Sequence, residues 1–124
     1  MTGRVRTFCY TVQNLTDMDY IAVENYDVEK IDWVVVAEEI GENEGKRHFQ
    51  AAIRFKHGKT WQAAFKWLGL KGGDNLETMR SAEYSAASYC LKGVQSKEEW
   101  NTDGVDGETY GMRVNVVRQE GLLP

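Results

Sequence analysis

Proline is almost missing from this chain. The single one closes a sequence of 124 residues, so no internal segment is broken by proline and none reads as a rigid proline-rich linker. Cysteine is nearly as scarce. Cys9 and Cys90 form neither a disulfide framework nor a zinc-type spacing, and with no export signal at Met1 they are expected to be free thiols. The same lack of a leader leaves the sequon Asn14-Leu15-Thr16 uninformative. No apolar run is long enough to span a bilayer, which argues against a membrane partner and for an intracellular setting. Positive charge is short as well: 15 basic against 19 acidic residues give a net charge of −4, a poor start for a protein that would hold a phosphate backbone.

That last shortage is an average over three unlike segments. Residues 1–45 carry 3 basic and 10 acidic side chains, residues 46–97 carry 10 and 3, and residues 98–124 carry 2 and 6. The net charges are therefore −7, +7 and −4. A basic middle flanked by acidic ends suits a polyanionic substrate held at one place, with the ends limiting non-specific sticking. The plainer alternative is that the acidic segments only solvate the surface.

With 42% hydrophobic and 27% charged residues, residues 1–124 are expected to form one globular domain with a single modest core. The pattern alternates strands and helices. Val5 to Val12 reads as a strand, and Thr16-Asp17 opens a helix predicted to run to about Lys30. Ile31 to Glu39 reads as a strand buried on both faces, joined through Gly41 to Gly45 to a partner strand from Lys46 to Phe55. Thr60 caps a helix whose Trp61, Ala64, Phe65 and Leu68 share a stripe. A short strand near Leu76 to Arg80, a helix from about Ala82 to Leu91 and a possible strand within Tyr110 to Val117 complete the set. The expected class is α+β, an antiparallel sheet with packed helices of the ferredoxin-like or RNA-recognition type.

Two short motifs carry chemistry. In the strand His48-Phe49-Gln50, alternation puts His48, Gln50, Ala52 and Arg54 on one face and Phe49, Ala51, Ile53 and Phe55 on the other. The second set is expected to be core. The first is expected to face away from the helices, an imidazole and an amide suited to a metal with Arg54 as a phosphate contact. In the last helix Tyr84, Ala87 and Leu91 make an apolar arc, and Tyr89 and Lys92 lie together on the adjoining polar one. A phenol is almost wholly protonated at neutral pH, so attack by Tyr89 on a phosphodiester needs the metal and the lysine cation. Each motif taken singly also has a bland reading, a surface histidine or a tyrosine at a sheet edge.

Together, Phe8-Cys9-Tyr10-Thr11-Val12-Gln13-Asn14, His48-Phe49-Gln50 and Tyr89-Cys90-Leu91-Lys92 resemble the three ordered motifs of the HUH endonuclease domain. That domain is N-terminal in the replication initiator (Rep) proteins of eukaryotic circular single-stranded DNA viruses. The resemblance spans about Arg6 to Gly93. It implies site-specific nicking and joining of single-stranded DNA at an origin stem-loop in a host nucleus, with Tyr89 as nucleophile linked to the 5′ phosphate and Lys92 beside it. His48 and Gln50 carry over as metal ligands, and the third ligand is a glutamate on the preceding strand. Glu39, nine residues before His48, fits that place better than Glu38, although the uniformly apolar Val34 to Val36 leaves alternation unable to choose. Thr11, Gln13 and Asn14 fall in the DNA-contacting first motif, which departs from circovirus-like members by Gln13 in place of an asparagine and by having no proline after it.

A ligand set with one formal negative charge and mostly oxygen donors suits Mg²⁺ or Mn²⁺ better than zinc. His57, beside Gly58, is expected to be surface. The helicase of full-length relatives is not recognisable: Gly58-Lys59-Thr60 has Ile53 where a phosphate-binding loop needs its first glycine. The isolated domain is expected to be monomeric, any oligomerisation belonging to a longer parent protein. Two rival readings are a metal-free module stacking bases on Phe8 and Tyr10 and a phosphodiesterase that activates water. The shared face of Phe8, Tyr10 and Val12, which reads as core, speaks against the first.

Overall fold

A computed structural model of the chain describes residues 3–40, 46–91 and 113–118. Its elements are β1 (Val5–Val12), α1 (Asp17–Glu24), a 3₁₀ turn (Val28–Lys30), β2 (Ile31–Ile40), β3 (Arg47–Lys59), α2 (Trp61–Trp67), β4 (Asn75–Thr78), α3 (Glu83–Leu91) and β5 (Arg113–Arg118). The sheet order is β4-β1-β3-β2-β5, antiparallel at the first three junctions and parallel between β2 and β5. The βαββαβ succession through β4 is the ferredoxin-like arrangement of an α+β fold. β4, β1, β3 and β2 form the expected antiparallel sheet, to which β5 adds a parallel edge strand.

Alternation places the core. Phe8, Tyr10 and Val12 of β1 lie beside Phe49, Ala51, Ile53 and Phe55 of β3, all buried on the face covered by Val23 of α1 and by Ala64 and Leu68 of α2. Aromatic rings fill that layer, with Phe55 edge-on to Phe8 at 5.9 Å and to Trp67 at 5.1 Å. β2 is buried on both sides. Its Trp33, Val35 and Ala37 belong to a second cluster with Ala52 of β3 and with Ala86, Ala87 and Cys90 of α3.

This second cluster corrects the expectation that the His48 face looks away from the helices. α1 and α2 do lie on the far side, but α3 crosses to this one. Its described buried residues are Ala86, Ala87 and Cys90, which include Ala87 of the expected apolar arc. α1 is also shorter than predicted: Asn25 caps it through its side-chain N–H to Ile21 O, and Asp27 accepts from Glu29 N–H to start the 3₁₀ turn. The start is as expected, Thr16 N–H donating 2.8 Å to the Asp19 carboxylate. Thr60 caps α2 by accepting from Ala63 N–H. Trp61 falls outside the packed stripe, stacking on Phe65 while its indole N–H donates to Leu76 O of β4. Among the described residues, no helix is long and apolar enough to cross a membrane.

Candidate active site

The register of β2 against β3 decides which glutamate shares a face with His48. Glu39 stands directly across from His48 and Ala37 across from Gln50, so Glu39, His48 and Gln50 project to the side that α3 covers. Glu38 pairs with Phe49 and turns to the opposite face. There its side chain is fully buried, 3.4 Å from Arg47 Nη1, and it helps raise the Tyr20 phenol, whose larger cause is burial. Adjacent glutamates thus serve two layers of the protein.

Glu39 Oε1 lies 3.9 Å from His48 Nε2, too far for a hydrogen bond. Two donors each ~2.1 Å from one ion are separated by about 3 Å to about 4.2 Å, so the spacing fits common ligation of a small divalent cation. Both side chains are about four-fifths buried, which limits competition from water without closing the site. Among the described residues no three His, Cys, Asp or Glu side chains gather to hold a metal. The third protein donor on this face is the amide of Gln50, opposite Thr11 of β1. A carboxylate and an amide oxygen are hard donors and the imidazole a borderline one, a set whose chemistry is compatible with a divalent ion such as Mn²⁺ or Mg²⁺.

Tyr89 is 61% exposed and lies one residue from the buried Cys90, on the helix that packs over this face. Tyr10 and Tyr26 are very different phenols. Their hydroxyls lie 3.0 Å apart, and burial first of all pushes Tyr10 well up and Tyr26 up to about 12. Cys9, on the ligand face, is likewise raised by burial and then by Glu77, which keeps it a thiol. Lys92 lies outside the described residues.

Of the first-motif residues, Thr11 shares the ligand face, while Gln13 and Asn14 follow the end of β1. Gln13 N–H donates to Asp74 Oδ1 at 2.8 Å. Asn14 adopts a left-handed φ of 50°, which asparagine tolerates, and lines a hollow of about 310 Å³ with Leu15, Tyr20, Lys46 and Arg47. Arg54 corrects an expectation. It occupies the ligand face but six residues, roughly 20 Å, along the strand from His48. Its Nε donates to Asp32 Oδ2 at 2.9 Å and its Nη1 to Glu83 Oε2 at 2.8 Å, so the guanidinium is held by two carboxylates of the protein itself. His57 is exposed, as expected.

The residues that sequence reasoning missed are these carboxylates, Asp32 and Glu83, together with Trp33. The available signal was Glu83 at the first position of the helix that carries Tyr89.

The sequence has a counterpart among known protein families. The sequence profile of the family described as "Putative viral replication protein" matches residues 5–93 of the 124. The chain belongs to this viral replication family. The match takes in every described residue of the site, from Thr11 on β1 to Tyr89 on α3. No curated protein matches the chain.

Proposed function

We propose that this viral replication protein nicks and rejoins single-stranded DNA at a specific origin sequence, through a covalent link between Tyr89 and the 5′ phosphate. The observation that carries this reading is the exposed Tyr89 on a helix packed over the one sheet face that gathers Glu39, His48 and Gln50. In the step envisaged, the Tyr89 oxygen forms a bond to phosphorus and the P–O3′ bond breaks. The phenolic proton leaves to solvent and the departing oxygen takes up a proton as a 3′ hydroxyl. One phosphodiester is exchanged for another, so the same step run backwards rejoins a 3′ hydroxyl.

Glu39, His48 and Gln50 would hold Mg²⁺ or Mn²⁺, which when bound would polarise the scissile phosphate and offset its charge. Thr11, Gln13 and Asn14, at the end of β1 beside this face, are proposed to contact the DNA strand, and Lys92 to neutralise phosphate charge. Arg54 is not retained as a phosphate contact, because Asp32 and Glu83 already engage it. Base stacking on Phe8 and Tyr10 finds no support, since both rings are buried under α1 and α2.

The test is to incubate the protein with Mn²⁺ and a single-stranded oligonucleotide of origin type labelled on its 3′ side, then to run a denaturing gel. A labelled band at protein plus fragment mass is expected. Cleavage with no such band would favour a water-activating phosphodiesterase, and binding with no cleavage a metal-free module.

A further inference from the structure

Among its described side chains, α3 buries the small residues Ala86, Ala87 and Cys90 in one cluster with Trp33, Val35, Ala37 and Ala52 of the sheet. Such a surface permits close approach but offers few knobs to fix how far the helix lies along the strands. Direction has to come from elsewhere. It comes from a fork at the first residue of the helix: Glu83 Oε1 accepts from Trp33 Nε1 at 2.8 Å and Oε2 accepts from Arg54 Nη1 at 2.8 Å. Arg54 Nε continues to Asp32 Oδ2 at 2.9 Å, and Asp32 accepts from Arg6 Nη2 at 2.8 Å. Arg6 Nε in turn donates to Phe55 O at 3.1 Å. Three strands are thereby tied to one helix end.

The sheet is shaped for this network. Ile31 and Trp33 pair with the consecutive residues Phe55 and Arg54, so Asp32 is the extra residue of a β-bulge. In a regular strand Asp32 and Trp33 would point to opposite faces; the bulge lets both join the Arg54–Glu83 cluster. A second irregularity falls between Val5 and Thr7 of β1, around Arg6. Bulges re-aim side chains beside active sites, and these two flank the helix anchor.

We infer that Glu83 is a positioning residue: by engaging Trp33 and Arg54 at once it sets where α3 lies on the sheet, and so where Tyr89 stands relative to Glu39, His48 and Gln50. This rests on the tyrosine-transfer reading above. Tyr89 is six residues, roughly 9 Å, along the helix from the fork. A misplacement of about 1 Å at such a distance can slow a reaction about 100-fold without touching a reacting atom.

The experiment compares Glu83→Ala and Arg54→Met with the unaltered protein, at saturating oligonucleotide and Mn²⁺. It measures cleavage and joining rates, DNA affinity at several salt concentrations, and amide hydrogen exchange across α3. The expected result for both variants is a lower cleavage rate, by about 100-fold for Glu83→Ala, with joining lowered by the same factor as cleavage, DNA affinity and its salt dependence unchanged, and exchange faster in α3. Glu83→Gln, which keeps an acceptor for Trp33 and loses the charge facing Arg54, should fall between, and it decides the matter if Glu83→Ala does not fold. Folded variants with unchanged rates and unchanged exchange overturn the inference. So does Arg54→Met losing affinity with a shallower salt slope, the mark of a lost phosphate contact. If the unaltered protein forms no tyrosine adduct while Glu83→Ala still loosens α3, the anchor stands and the transfer reading falls.

Discussion

The two faces of the sheet are built from different material. Under α1 and α2 lie Phe8, Tyr10, Phe49 and Phe55, large rings locked edge to face, with the carboxylate of Glu38 sealed at the margin. On the α3 side lie Trp33, Val35, Ala37, Ala52, Ala86, Ala87 and Cys90, one large ring among small side chains, bordered by Glu39, His48 and Gln50. The first face buries the large rings under α1 and α2; the second carries α3, the helix of Tyr89, over the side that holds Glu39, His48 and Gln50. One strand pair, β2 with β3, supplies both, because alternation sends each residue to one layer or the other. The division is testable, since a change on one face should leave the property of the other intact.

The sharpest break is at Tyr89. Tyr89→Phe removes one oxygen from an exposed residue and keeps the ring, so the adduct should disappear, a loss of about 10⁴-fold or more, with little change in thermal stability. Mass spectrometry of the protein–oligonucleotide mixture and a melting curve measure both. An adduct that persists would move the nucleophile to another tyrosine, with Tyr84 the first to replace.

The opposite break is at Phe55, which packs between Phe8 and Trp67. Phe55→Ala should reduce stability by about 3–5 kcal/mol, through lost burial and the cavity left behind. Cleavage per folded molecule should stay near normal. Urea unfolding combined with kinetics well below the midpoint checks this, and a variant that is stable but inactive would show that the two faces are not separable.

Next in size is the comparison of neighbours. Glu39→Gln should slow Mn²⁺-dependent cleavage about 100-fold, equivalent to about 2.7 kcal/mol of barrier, with little change in stability. Glu38→Gln should show the reverse pattern, losing stability because its buried carboxylate faces Arg47 while Mn²⁺ dependence is kept. Measuring Mn²⁺ titrations and unfolding midpoints on both variants decides it. A larger cleavage loss at Glu38 would mean that the wrong face holds the ligands.

How legible this was in the sequence follows the same division. The aromatic face was readable because Phe8, Tyr10, Val12 and Phe49, Ala51, Ile53, Phe55 alternate strictly, and a period of two has only one buried solution. The pairing of His48 with Gln50 followed from the same rule. The choice between Glu38 and Glu39 did not, because β2 is buried on both sides and its apolar run carries no parity; only the cross-strand register supplies it. The destination of Arg54 was hidden by the bulge at Asp32, an insertion in pairing that composition does not signal. α3 reads as an amphipathic helix, yet nothing in its own residues tells which face of the sheet it will cover.

The mildest effect concerns alkaline pH and is centred on the aromatic face. Burial raises the Tyr10 and Tyr26 phenols above the ordinary value of about 10, Tyr26 up to about 12, and their hydroxyls share a 3.0 Å hydrogen bond. Between those values the unfolded chain has lost protons that the folded chain retains, so unfolding releases protons and is favoured as pH rises. Stability should therefore begin to decline near pH 9, where the raised Cys9 thiol contributes, and fall more steeply from about pH 10 through pH 12. Tyr26→Phe should start slightly less stable at neutral pH, having lost one hydrogen bond worth ~1 kcal/mol, and decline less steeply above pH 10. Urea midpoints collected from pH 8 to pH 11.5 measure the two slopes. Equal slopes would place the alkaline sensitivity outside the Tyr10–Tyr26 pair.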